Sequence, residues 1–222
     1  MNRFERQADL ISCDMNTPIT IVGAGGIGSF LALTLAKMGF VQIDVWDFDK
    51  VEDHNLPNQF YREQDIGQFK VVALADIIQQ FTGTRIRAHA VAWDAQHEDY
   101  VPTEVLLSAV DSMEVRSLMY RHAEECEDVR WLLDGRMGGT QIEVYTVDME
   151  CVQDIRMYES KLWTDAETAP LRCTMKATMF TVLTIASFMS NNLVKALSRT
   201  DFKNNLTLDM TNMGLLYVRP QE

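Results

Sequence analysis

Residues 18–40, "PITIVGAGGIGSFLALTLAKMGF", constrain the fold more than any other part of the chain. A short β-branched run leads into a glycine-rich turn. Apolar residues then recur at spacings of four, four and three, which places them on one helix face. These residues are Ile27, Leu31, Leu35 and Met38. The segment therefore predicts a buried strand, a tight turn and a helix packed against a core.

The turn, "GAGGIG", is typical of a nucleotide-binding site. Its glycines allow a sharp strand-to-helix connection and let a phosphate approach backbone N–H groups at the positive end of the helix. They are Gly23, Gly25, Gly26 and Gly28. The alternative is a glycine turn that serves only close packing of helix on sheet. The turn alone does not name the nucleotide, and NAD or FAD would be the ordinary ligands.

Strand-like and helical patterns continue to alternate along the chain. In order they read "QIDVWDFD", "FKVVALADIIQQFTG" (helix), "RIRAHAVAW", "TEVLLSAVD", "SMEVRSLMYRHAEEC" (helix), "RWLLDGRMGGTQIEVYTV" (two strands), "TMFTVLTIASFMSNNLVKALS" (helix) and "LTLDMTNMGLLYVRP" (hairpin). This alternation predicts an α/β, Rossmann-like fold whose mostly parallel sheet ends in antiparallel C-terminal strands and is flanked by helices.

A length of 222 residues fits one domain spanning residues 1–222. We expect residues 1–16 to form an N-terminal arm. Residues from about 150 to 172 show the least regular pattern and are expected to form a crossover loop or lid.

Composition excludes several classes of partner. A net charge of −12 argues against DNA or an anionic membrane as the partner, because both require clustered Lys and Arg. The longest apolar run, "TMFTVLTIASFM", is too short to span a bilayer.

The four cysteines, Cys13, Cys126, Cys151 and Cys173, form no CxxC pair, so we expect no structural zinc. A reduced, cytoplasmic protein is the simplest interpretation.

Two acids follow predicted strands at the edge of the sheet where ligands bind. Asp47 lies 24 residues past Gly23, where an acid commonly accepts hydrogen bonds from ribose hydroxyls. Its alternative role is a solvated acid at a strand end. Asp111 follows a later strand, and its alternative role is to cap the next helix.

Lys70 begins a predicted amphipathic helix. A cation is disfavoured at a helix N-terminus unless an anion offsets it, so this position favours a lysine that contacts an anion. The alternative role is a solvated lysine in the first turn of the helix.

Several ordered motifs together resemble the ThiF/MoeB family, the adenylyltransferases related to ubiquitin-activating enzymes. They are "RFERQ", "GAGGIG", "DFD", "NLPNQ", "IGQFK", "VDSMEVRSLMYRHA", "DGRMGGTQIEVYTV" and "RCTMKATMFTVLTIASFMSNNLVKALS". The resemblance covers nearly the whole chain and implies a compact member that lacks the family's zinc-binding CxxC pairs.

The resemblance implies an activity. Family members use ATP and Mg²⁺ to adenylate the C-terminal carboxylate of a small ubiquitin-like or sulfur-carrier protein ending in Gly-Gly. The acyl-adenylate is then attacked by a thiol or a sulfur donor. The resemblance also implies a homodimer.

The resemblance assigns roles to the nucleotide-site residues. Lys70 is expected to reach the phosphates, Asp111 to bind Mg²⁺ and Asp47 to hold the ribose. Asp49 is expected to contact the nucleotide or orient the following loop. Asn55 and Gln59 match polar residues near the nucleotide.

One position departs from the family pattern. The family usually has an arginine where this chain has Asn58. Arg62 lies four residues further on, and one possibility is that it folds back to supply the missing charge at the phosphates. The other is that it does not, in which case adenylation would be slow or absent.

Three further residues match family positions outside this loop. Arg6 is expected to reach a partner subunit's phosphates as an arginine finger, with an exposed tail arginine as the alternative. Cys173 is expected to be a reactive thiol, with a small buried residue as the alternative. Arg116 is expected to be structural and to pair with an acid.

Three other functions stay open. The chain could activate another carboxylate, such as a peptide C-terminus. It could be a pseudo-adenylase that serves as a scaffold or heterodimer partner, an idea that Asn58 supports. It could be an NAD(P)-dependent oxidoreductase, which would leave Lys70 and Asp111 without a role.

Overall fold

The computed structural model describes residues 3–162 and 177–218. A mixed sheet of eight strands in the order β3-β2-β1-β4-β5-β6-β7-β8 forms the centre of this part of the chain. The strands are β1 (Ile19–Val22), β2 (Ile43–Trp46), β3 (Arg87–His89), β4 (Val105–Ser108), β5 (Trp131–Gly138), β6 (Gln141–Asp148), β7 (Asn205–Asp209) and β8 (Gly214–Val218).

The first five strands pair in parallel and the last three add in antiparallel fashion. The helices are α1 (Gly26–Met38), α2 (Lys70–Thr82), α3 (Met113–Glu125), α4 (Val152–Glu159) and α5 (Met179–Leu197). The predicted fold class, with a parallel sheet and antiparallel C-terminal strands, is confirmed.

Helices cover both faces of the sheet. Buried residues of α1, α2 and α5 form one core with Ile21, Val45 and Leu107, while α3 and α4 cover the opposite face around Val22, Leu106 and Leu132. All four residues of β1, β2 and β4 are buried. Such strands are continuous apolar runs because both of their faces are covered.

The sequence patterns locate most helix ends correctly. Helix α2 ends at Thr82, and Gly83 follows with φ +81°, a conformation that glycine adopts without strain. Helix α3 is capped by Ser112, whose Oγ accepts a hydrogen bond from the Val115 N–H at 3.3 Å. Ser112 therefore caps α3, and Asp111, the residue before it, does not have the alternative capping role.

The prediction of an irregular segment over residues 150–172 is wrong in its first part. Residues Val152–Glu159 form α4, which buries Tyr158 completely against the α3 face of the sheet. Ile155 and Met157 of α4 pack against the same cluster, but with so few apolar residues in a mostly polar segment the helical period is weak in the sequence. Residues 163–172 lie outside the described residues. Strand β3 is also shorter than predicted, with three residues.

The anchoring of α4 predicts a stability loss. We expect Tyr158→Ala to lower the free energy of unfolding by about 3–5 kcal/mol, because it removes a fully buried aromatic ring. Urea denaturation measures this difference. Glu159→Ala, which changes an exposed neighbour, is the control and should shift stability by about 0.5 kcal/mol or less. Equal effects of the two substitutions would contradict the packing of α4.

Candidate nucleotide and adenylation site

The sheet has a switch point between β1 and β4. From β1 the chain moves outward to β2 and β3, then returns to β4 on the other side of β1. In such sheets, ligands bind in the crevice at the carboxyl ends of the two strands where the order reverses. The glycine turn after β1, Asp47 after β2 and Asp111 after β4 all lie at this edge.

The glycine turn is packed so tightly that two of its glycines have no room for a side chain. A Cβ on Gly23, whose φ is +95°, would lie 2.6 Å from the Ala109 carbonyl oxygen. A Cβ on Gly28 would lie 1.8 Å from the Gly23 carbonyl oxygen. Around Gly25, by contrast, a Cβ would meet only the Gln59 side chain, at 4.0 Å. The turn thus has an open side at Gly25, which fits a phosphate group.

Asp47 ties the end of β2 to the glycine turn. One carboxylate oxygen accepts a hydrogen bond from the Ala24 N–H at 2.7 Å, and the other accepts from the Asp49 N–H at 2.8 Å. A carboxylate has about four acceptor positions, so two remain after these bonds. Asp47 therefore has a structural role as well as the capacity to accept ribose hydroxyls.

Lys70 and Asp49 form an ion pair at the mouth of the crevice. The Lys70 Nζ lies 2.8 Å from Asp49 Oδ2, and the Lys70 N–H also donates to the Asp49 carbonyl at 2.9 Å. The Lys70 side chain is only 8% exposed, whereas that of Asp49 is 52% exposed. A buried ammonium at the positive end of α2 thus has a carboxylate partner that remains open to solvent.

The loop "NLPNQFYRE" packs its polar groups against the glycine turn. Asn55 is buried, and its Oδ1 accepts a hydrogen bond from the Glu52 N–H at 2.9 Å, which closes a short 3₁₀ turn. The Gln59 Oε1 atom is buried and has no hydrogen-bond partner among the described residues. The Gln59 amide lies beside the open side of Gly25 with its Nε2 atom nearest, and its unpaired Oε1 acceptor fits a donor group of a bound nucleotide.

Tyr61 is a residue that the sequence patterns did not single out. Its hydroxyl donates to the carbonyl of Ala24 in the glycine turn, and its ring is buried. Burial, together with the nearby Asp47 carboxylate, raises the pKa of the Tyr61 phenol well above its usual value. Tyr61 therefore stays a hydrogen-bond donor that holds the loop on the turn. The only signal in the sequence is an aromatic residue in a polar loop.

Arg62 lies in a cluster of acids. Its guanidinium donates to Asp65 at 2.8 Å and to Asp76 at 2.7 Å, and it also reaches Gln80. These two carboxylates neutralise the arginine. The structure therefore does not bring a free Arg62 charge to the position that Asn58 leaves without one, and the proposed nucleotide contact of Arg62 stays a prediction.

Asp111 is exposed in the loop between β4 and α3 and forms no ion pair with the described residues. Among residues 3–162 and 177–218, no group of three His, Cys, Asp or Glu side chains could hold a metal ion. Mg²⁺ commonly binds one or two carboxylates together with substrate phosphates and waters. The exposed Asp111 carboxylate is therefore a suitable ligand for a magnesium ion that binds together with a nucleotide.

The N-terminal arm, which carries Arg6, lies apart from this crevice within its own chain. The Gln7 amide of the N-terminal arm donates to the carbonyl of Met38, the last residue of α1. Since α1 has 13 residues, the arm lies about 20 Å from the glycine turn of the same chain. Arg6 is exposed there, so its action in a partner's site stays a prediction. Cys173 lies outside the described residues.

A fully buried ionic network lies beneath the sheet beside the crevice. Asp134 on β5 accepts from Arg116 Nε at 2.9 Å, from Arg136 Nε at 2.6 Å and from the Tyr158 hydroxyl at 3.1 Å. The predicted pairing of Arg116 with an acid is confirmed. Asp134, Arg136 and Tyr158 were not predicted. The signal was two opposite charges two residues apart in "LLDGRM", which places both on one face of a buried strand.

The two arginines determine the ionisation of Asp134. Burial alone would raise the pKa of this carboxyl, but the guanidiniums of Arg116 and Arg136 outweigh burial and hold its pKa below the usual range. Removing one member of such a buried pair leaves the remaining charges without compensation.

Fold and site together define a doubly wound α/β protein with a glycine turn at the switch point of its sheet. A profile of the ThiF family matches residues 15–221. The chain belongs to the ThiF family. None of the helices in the described ranges is long and apolar enough to cross a membrane.

Two curated relatives and one solved structure illustrate the similarity. The NEDD8-activating enzyme E1 catalytic subunit of Caenorhabditis elegans is 35% identical over 124 residues, which are 54% of this chain and 28% of that protein. The adenylyltransferase and sulfurtransferase MOCS3 of Caenorhabditis briggsae is 32% identical over 108 residues, 47% of this chain and 27% of that protein. The match thus spans about a quarter of each relative.

The solved structure is that of E. coli MccB with ATP. It superposes with a TM-score of 0.71 at 14% identity and covers 99% of this chain and 71% of that chain. At this identity the likeness shows a shared fold.

The Asp134 network predicts a pH dependence of stability. The pKa of the Asp134 carboxyl is lower in the folded state than in the unfolded state. The stabilisation from this carboxylate is therefore present at a pH above the unfolded pKa of about 3.9, and it is lost as the pH falls through the folded pKa. We expect Asp134→Asn to cost about 3–5 kcal/mol at pH 7. The difference from the wild type should shrink below about pH 4.

Urea denaturation between pH 7 and pH 3 measures both effects. Asp128→Asn, at an exposed acid, is the matched control and should follow the wild type throughout. A difference between Asp134→Asn and the wild type that stays constant over this pH range would contradict the ionised state of Asp134.

Proposed function

We propose that this chain adenylates the C-terminal carboxylate of a small ubiquitin-like or sulfur-carrier protein, using MgATP. One observation carries the proposal. At the switch point of the sheet, the glycine turn and Asp47 lie beside a buried lysine whose counterion, Asp49, is half exposed. A triphosphate carries more negative charge than the pyrophosphate of a dinucleotide, and attack by a carboxylate adds another anion, so a cation at this position favours adenylation over hydride transfer.

The chemistry explains why this cation matters. A carboxylate oxygen of the carrier attacks the α-phosphorus of ATP, the bond from that phosphorus to the bridging oxygen breaks, and pyrophosphate leaves. No proton is transferred. Because one anion approaches another, positive charge must offset the repulsion at the phosphates. Lys70 supplies a point charge with three donors.

Each residue of the crevice then has a task. Backbone N–H groups of the glycine turn bind phosphate oxygens at the positive end of α1. Asp47 accepts from the ribose hydroxyls, and Gln59 offers its buried Oε1 to the nucleotide. Asp111 would hold Mg²⁺, which neutralises charge on the phosphates when bound. Lys70 exchanges its bond with Asp49 for a phosphate oxygen.

The names of the relatives support the type of partner. They are described as activating enzymes for NEDD8 and SUMO, and as an adenylyltransferase and sulfurtransferase. The net charge of −12 favours a carrier with a basic surface. We further propose a cytoplasmic homodimer in which Arg6 reaches the partner's site, a carrier that ends in Gly-Gly, and a thiol role for Cys173.

A second candidate function is a pseudo-adenylase that acts as a scaffold or heterodimer partner. The observation in its favour is the Arg62 cluster. With Asn58 in place of the family arginine and Arg62 bound to Asp65 and Asp76, the site has one phosphate cation fewer than the family pattern. This candidate retains nucleotide binding but loses turnover.

An exchange assay tests the proposal. The chain is incubated with ATP, Mg²⁺, labelled pyrophosphate and small carrier proteins ending in Gly-Gly, and carrier-dependent formation of labelled ATP is measured. We expect exchange with the wild type. Lys70→Ala and Asp111→Ala should each lower its rate by about 100-fold or more, because each removes charge stabilisation at the phosphates.

Two matched substitutions serve as controls. Lys37→Ala removes an exposed lysine at the opposite end of α1, and Asp128→Ala removes an exposed acid beyond the end of α3. Both should retain the wild-type rate. ATP binding without exchange for any carrier would favour the pseudo-adenylase, and a failure to bind ATP would overturn both functions.

A further inference from the structure

A single guanidinium connects the buried network to the loop that carries Asp111. Arg116 donates through Nε to Asp134 and through Nη2 to the carbonyl of Val110, the residue directly before Asp111. The same Nη2 lies 3.4 Å from the Gly135 carbonyl oxygen. Arg116 thus joins β5 to the loop between β4 and α3 at a point next to the exposed carboxylate.

The anchor of this guanidinium is itself rigid. Asp134 is completely buried, and Arg136 and Tyr158 bind its second carboxylate oxygen. Arg136 in turn donates to the Lys161 carbonyl at 2.8 Å, and Tyr158 belongs to α4. Asp134 therefore has bonds from three elements, and its position does not depend on the loop.

Other contacts also hold the loop near Asp111. Ala109 donates to Val22 at 2.8 Å and lies against Gly23, Val110 packs in the core on the α3 face, and Ser112 caps α3. The Asp111 carboxylate is exposed and forms no ion pair with the described residues. Among these contacts, the bond from Arg116 is the one that a side chain donates to the backbone carbonyl immediately before this carboxylate.

We propose that Arg116, held by Asp134, is a positioning residue that aims the Asp111 carboxylate at the metal ion bound with the nucleotide. This inference rests on the proposed function. The arginine touches neither metal nor nucleotide; it acts through the Val110 carbonyl. Partners that orient a metal ligand typically affect metal affinity by about 10–100-fold.

The test uses Arg116→Lys, which retains the charge. A lysine has one terminal nitrogen and cannot reproduce the planar fork that binds the Asp134 carboxylate and the Val110 carbonyl together. Arg121→Lys, on the exposed side of the same helix, is the matched control. Asp134→Asn is the second variant, which removes the charge of the anchor but retains its shape.

The principal measurement is Mn²⁺ binding, followed by electron paramagnetic resonance, in the presence of a non-hydrolysable ATP analogue. We expect Arg116→Lys to weaken Mn²⁺ binding about tenfold or more. Its affinity for the analogue without metal should stay within about threefold of the wild type, because the glycine turn is unchanged. Hydrogen exchange of the amides of residues 110–112 should accelerate in Arg116→Lys but not in Arg121→Lys.

Three results would overturn the inference, and they are distinguishable. Faster exchange in the loop with unchanged Mn²⁺ affinity would show that Arg116 orders the loop without affecting the metal. Equal weakening of analogue binding and Mn²⁺ binding would show a general structural role. Absence of metal–nucleotide binding by the wild type would overturn the proposed function as well. The expected pattern in Asp134→Asn is that of Arg116→Lys.

Discussion

The contact between Gly23 and the Ala109 carbonyl is the constraint on which the rest of the site depends. It brings the turn after β1 against the loop after β4, with no space for a side chain between them. The switch point of the sheet supplies the crevice, and this close approach holds the two loops on either side of it together. Asp47 then fixes the turn to β2, and Tyr61 fixes the following loop to the turn. The N–H groups of the glycine turn and the acids at the strand ends are thereby held together.

The buried cations near the crevice are each paired with a carboxylate. The chain is acidic overall, yet it buries cations at two places near the crevice. Lys70 is offset by the half-exposed Asp49, whereas Arg116 and Arg136 share the fully buried Asp134. The first pair can open to an incoming anion because one partner faces solvent. The second cannot open at low cost, which suits a structural anchor.

The sequence predicted the fold well because its signals were local. The glycine turn, helix α1 and the β7–β8 hairpin each follow from turn residues and apolar spacing. Helix α4 and the short β3 were mispredicted, since α4 depends on packing of Tyr158, Ile155 and Met157 against distant parts of the chain and β3 on pairing at a sheet edge. In the site, Asp47 and Lys70 were singled out from their places at strand and helix ends, and their contacts with a nucleotide stay predictions. The Arg62 cluster and the role of Tyr61 depend on contacts between separate elements, which spacing does not encode.

The proposed adenylation requires a crevice that binds a triphosphate in preference to a dinucleotide. Calorimetric titration of the wild-type chain with ATP and, separately, with NAD⁺ measures this preference. We expect that ATP binds, that NAD⁺ binds at least about tenfold more weakly, and that Lys70→Ala reduces the ATP affinity about tenfold or more while Lys37→Ala leaves it unchanged. Tighter binding of NAD⁺ than of ATP, or an ATP affinity insensitive to Lys70, would contradict the proposed adenylation.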